Sequence, residues 1–78
     1  MNEKTVNILG WVGVGLIILA YAAVSFNQLS PESWVYQIMN LIGSVFILIE
    51  TFRKKDYQPM FLNIIWALIA IIGLLKAF

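Results

Sequence analysis

The sequence contains no cysteine and no histidine. Without cysteine there is no disulfide or thiolate chemistry, and the redox state of its surroundings cannot be read from it. Without histidine the commonest general base and the commonest metal ligand are both missing. Charge is scarce too: 12% of the 78 residues, five basic and four acidic, where a soluble domain carries about 25%. So few charges could not keep an apolar core in water. The formal charge of +1 comes with no basic stretch long enough to neutralise a run of phosphates, which argues against a nucleic-acid partner. No metal site or cofactor is expected.

What is present is apolar: 62% of the residues are hydrophobic. Val6 to Phe26 carries no charge over about 21 residues, enough to cross a bilayer core of roughly 30 Å at about 1.5 Å per residue. Ser33 to Ile49 is uncharged and extends toward Thr51, and so is Pro59 to Leu75, with Lys76 placed to snorkel. The chain is therefore expected to be a single all-α membrane domain over residues 1–78, with transmembrane helices at about 6–26, 33–52 and 59–77. Ala20-Tyr21-Ala22-Ala23 resembles a signal-peptidase site. The apolar run continues past it through Val24 and Phe26, and the leading segment has no net side-chain charge, so the first span is expected to be retained.

Two short breaks separate the spans. In "NQLSPES", Ser30 is placed to cap a helix starting at Pro31, with Glu32 at its positive end. In "RKKDYQP", Arg53 to Lys55 suit a helix carboxyl end, and Asp56 or Gln58 can cap the next helix, with Pro59 in its first turn. Such short connections predict antiparallel neighbours. Lys4, Arg53, Lys54 and Lys55 fall on one side of the membrane and Lys76 on the other. This bias predicts a cytoplasmic amino terminus and second loop, with the first loop and carboxyl terminus outside; the expected location is the cell's inner membrane.

Each span carries one small or polar stripe. At 100° per residue, Ser33, Gln37, Asn40, Ser44 and Thr51 share one face of the second helix, within about 60°. Asn63, Ala67, Ala70 and Ala77 share a face of the third, with Trp66 at its edge, and Asn7, Gly10, Tyr21 and Ser25 align on the first. Small residues and carboxamides in lipid serve helix packing, which is the plain reading for Gly10, Gly13, Gly43 and Ser44. Gln37, Asn40 and Asn63 together offer more donors and acceptors than packing requires, and this suits a pocket for a polar solute. Trp66 would form a flat wall beside Asn63, or simply pack. Glu50, the one acid within a span, is close in sequence to Arg53 and Lys54 and is expected to form an ion pair there.

Laid out in this way, the chain resembles the SemiSWEET bacterial sugar transporters, three-helix half-units of the SWEET and PQ-loop superfamily. The resemblance is carried by "YQIMNLIGSVFILIETFRKKD" through "PMFLNIIWALIAIIGLL", with "GWVGVGLIILAY" in the first helix. Asn63 matches the Asn of that family's sugar pocket. The family's Pro-Gln hinge falls at Ala23 and Val24, its second-helix pocket Trp falls at Ile47, and the first loop is shorter. The chain is still more similar to an uncharacterised group of small bacterial three-helix membrane proteins with G-W-x-G, S-P-x-S, Y-Q-x-x-N-x-x-G and L-N-x-x-W signatures, a branch of the same superfamily. The resemblance implies a triple-helix bundle with the third helix packed between the first two, and a parallel homodimer.

Two functions compete. In one, the protein is a passive carrier of a small polar solute, such as a sugar, working by alternating access in a homodimer, because three helices alone leave no lumen. Gln37, Asn40, Asn63, Trp66 and Tyr21 would then line the site. In the other it is a non-transporting subunit or scaffold whose stripes serve helix packing and partner binding. An enzyme is not expected, since no nucleophile has a base near it in sequence.

Overall fold

The computed structural model describes residues 1–78 and contains three helices: α1 (Glu3–Ser25), α2 (Trp34–Lys54) and α3 (Tyr57–Ala77). Each is long and apolar enough to cross a bilayer. The chain is a small multi-pass membrane protein.

The helix ends follow from local chemistry. The Asn2 side chain accepts a hydrogen bond from the Thr5 N–H at 2.8 Å and starts α1, with Glu3 suited to the positive end of its dipole. α2 begins at Trp34, one turn later than the Ser30-Pro31 reading. The Ser30 hydroxyl is taken up by Glu32, accepting from its N–H at 3.2 Å and donating to its carboxylate at 2.7 Å. That closes a turn before any helix can start, and Ser33 caps instead, accepting from the Tyr36 N–H at 3.2 Å. Asp56 precedes α3, as expected, but its side chain makes no capping bond.

Both α1 and α2 stop in the same way. Gln28 N–H donates to Ala23 O and Asn27 N–H to Val24 O; at the next break Asp56 N–H donates to Thr51 O and Lys55 N–H to Phe52 O. These paired bonds define a Schellman ending, which needs a left-handed residue. Asn27 and Lys55 supply it, at φ 61° and 56°. Asn tolerates this conformation, whereas Lys adopts it at a cost of about 1–2 kcal/mol.

α2 is the central helix: it packs against both α1 and α3, and α1 and α3 do not pack on each other. This corrects the order implied by the resemblance, in which the third helix lies between the first two. The reason is a direct backbone contact. A Cβ on Gly13 would lie 2.6 Å from the Gly43 carbonyl oxygen, and one on Gly43 would lie 2.8 Å from the Gly13 oxygen. With α1 and α2 touching there, no helix fits between them. α3, joined to α2 by only Lys55 and Asp56, folds back along the other flank.

The interior is small and polar. Val6, Gly10, Gly13 and Ala20 are buried on α1; Asn40, Gly43, Ser44 and Thr51 on α2; Asn63 and Ala70 on α3. Large apolar side chains such as Leu19, Phe61 and Ile69 point outward, the distribution expected where lipid is the solvent. The glycines give a direct check. Gly13→Ala and Gly43→Ala should each lower stability by about 1–3 kcal/mol, the range for overpacking a tight contact. Gly15→Ala, with no atom within 4 Å of its added Cβ, should not. Equilibrium unfolding in mixed micelles measures all three.

A candidate polar site between α2 and α3

Asn40 is the centre of the α2–α3 seam. Its Nδ2 donates to the Tyr36 carbonyl at 3.0 Å, and its Oδ1 accepts from the Trp66 indole N–H at 3.1 Å. An indole N–H can only donate, so the carboxamide is oriented with its oxygen toward α3. One turn on, Ser44 donates to the Asn40 carbonyl at 2.6 Å. Asn63 repeats the pattern on α3, donating from Nδ2 to the Pro59 carbonyl at 2.8 Å. Backward bonds to the carbonyl four residues earlier let a polar side chain remain in hydrocarbon without another helix to satisfy it. No enclosed side-chain nitrogen or oxygen lacks a partner.

Gln37 is held differently. Its Nε2 donates to the Pro31 carbonyl at 3.1 Å, tying the first loop to α2. Its amide lies over Gly73, where a Cβ would come 2.5 Å from the Gln37 Cδ. Gln37, Asn40 and Trp66 line one cavity of about 110 Å³ with Tyr36, Ile69 and Ala70. Small-molecule pockets run about 300–1,000 Å³. At about 30 Å³ per water, this one has room for a few waters.

Of the five residues proposed from sequence, the structure therefore brings three together. Asn63 is buried in the same α2–α3 layer but does not line the cavity. Tyr21 is separate, 69% exposed on α1, which does not reach α3. Tyr36 was not singled out, yet its carbonyl anchors Asn40; the signal was its position four residues before that Asn. Gly73 was missed as well, because its role depends on Gln37 approaching from another helix. Glu50 pairs with Lys54 at 3.2 Å, the neighbour four residues on, as expected. Its carboxylate rests in the notch left by Gly10.

A protein-family model whose description names no activity matches residues 6–78, nearly the whole chain. The chain belongs to that family. No curated protein and no solved structure matches it. Family membership thus brings no substrate with it, and the chemistry of the seam has to speak for itself.

Trp66→Phe strands the Asn40 oxygen, and Asn40→Ala strands the Trp66 donor. Each should cost about 1 kcal/mol of stability, near the usual worth of one membrane side-chain hydrogen bond at roughly 0.6 kcal/mol plus the unpaired group. The double variant should cost less than the sum, and a double-mutant cycle in micelles reads the coupling.

Proposed function

We propose that the protein is a small non-enzymatic membrane subunit, whose polar seam locks its helices together and whose free flanks bind a partner. The observation that carries this reading is the Asn40–Trp66 bond. Asn40 and Trp66 are already bonded to each other, Asn40 and Asn63 to their own helices, and Gln37 to the first loop. The space beside them is well below the size of a ligand pocket. α1 and α3 each spend one flank on α2, leaving surfaces open to a second copy, with a parallel homodimer as the simplest assembly.

The second reading is the passive carrier suggested by the resemblance to the SemiSWEET transporters. It is favoured by the meeting of Gln37, Asn40 and Trp66 at one cavity, which a second protomer would have to enlarge. It also needs a moving element, and the hinge Pro-Gln pair is replaced by Ala23 and Val24 inside an unbroken α1.

Uptake of labelled sugars and other small polar solutes into proteoliposomes separates the two. The subunit reading expects no uptake above leak from folded wild type, together with a discrete cross-linked species in native membranes. Uptake that is lost in both Asn63→Ala and Trp66→Ala while the assembly persists would overturn it. Orientation is testable in the same membranes, because the absence of cysteine makes any introduced thiol unique. A cytoplasmic amino terminus in the inner membrane expects Gln28→Cys to react with an impermeant maleimide from outside intact cells, and Gln58→Cys to react only after lysis.

A further inference from the structure

The largest charged recess lies at the opposite side of the protomer from the Asn40 seam, between the start of α1 and the end of α2. It has two adjoining parts, of about 400 and 370 Å³, which share Asn7 and Lys54. The outer part holds Glu3 and Arg53. The inner part runs past Glu50 to Trp11 and Val14. From Glu3 to Val14 is about 16 Å along α1 at about 1.5 Å per residue, and as the cleft descends Trp11 and Val14 join Glu50 and Lys54 in its lining.

Its charges are unevenly spent. Lys54 and Glu50 form the one salt bridge of the chain. Arg53 has no carboxylate partner; its guanidinium donates to the Met1 carbonyl at 2.9 Å, which leaves most of its N–H groups free. Glu3 has no cationic partner. Two acids and two bases line the cleft, so their charges sum to zero; Glu50 and Lys54 are paired with each other, while Glu3 and Arg53 are not paired.

We propose that this cleft binds the headgroup of a zwitterionic phospholipid with a primary ammonium. Arg53 takes the phosphate, beside the Lys54–Glu50 pair, Glu3 takes the ammonium, and the upper part of one acyl chain lies along Trp11 and Val14. The cleft opens at the ends of two membrane-spanning helices, the depth at which headgroups lie, and Trp11, 75% exposed, has the amphipathic ring favoured there. A free phosphate would make no use of Trp11 and Val14 or of Glu3. An anionic headgroup would gain the Arg53 contact through its phosphate but has no cation to offer Glu3. A quaternary ammonium has no N–H to give Glu3, whereas a primary ammonium has three. The proposal rests on neither reading of the α2–α3 seam.

The test is native mass spectrometry of the full chain released from detergent with equal amounts of phosphatidylethanolamine, phosphatidylcholine and phosphatidylglycerol bearing the same acyl chains. Wild type should retain phosphatidylethanolamine about tenfold better than the other two, the worth of roughly one charge-assisted hydrogen bond. Arg53→Gln should weaken retention of all three, and Glu3→Gln should remove only the advantage of phosphatidylethanolamine. Lys76→Gln, at the far end of α3, should change nothing, and circular dichroism confirms that each variant remains helical. Preference for phosphatidylglycerol, or retention of all three lipids that neither cleft variant alters, overturns the proposal. So does a phosphatidylethanolamine preference that survives Glu3→Gln.

Discussion

The meeting of two backbones at Gly13 and Gly43 governs the arrangement of everything else. Each glycine sits against the other's carbonyl oxygen, so α1 and α2 are in direct contact and neither can admit a third helix between them. α3, joined to α2 by two residues, packs on the far side of α2. From that follow the central place of α2, the separation of α1 from α3, and the fact that the two recesses of interest lie on opposite flanks of one helix.

α2 therefore does two jobs with two faces. Toward α1 it offers a glycine and a carboxylate, Gly43 and Glu50, each matched to a glycine across the seam. Toward α3 it offers Asn40, which bonds to Trp66, and Gln37, which fills the space over Gly73. Close approach relies on dispersion, which falls off steeply with a small gap; the Asn40 carboxamide adds one directional bond, to Trp66, across the α2–α3 seam. In hydrocarbon no apolar driving force favours one helix pairing over another, so such specific contacts carry the choice of neighbour.

The sequence made the helices readable and their mutual order unreadable. An uncharged run needs no partner to be recognised, and the spans expected at 6–26, 33–52 and 59–77 lie within a few residues of α1, α2 and α3. The α2 stripe was legible for the same reason, since Asn40, Ser44 and Thr51 stand out against Ile and Leu, and all three are buried. On α1 the buried face is Val6, Gly10, Gly13 and Ala20, which has no polar marker, and Tyr21 lies outside it, exposed. The bond from Trp66 to Asn40 spans 26 positions and depends on where α3 docks. Lys55 could not be foreseen as left-handed, because its side chain carries no preference for that region; the two-residue connection forces it.

Every helix packs only on its neighbour in sequence. As the chain emerges amino end first, α2 meets α1 already in the membrane, and α3 meets α2 across a connection of two residues. No helix has to wait for a partner made later, and no earlier contact has to be broken to admit a newcomer. The packing order of the helices is thus their order in the chain.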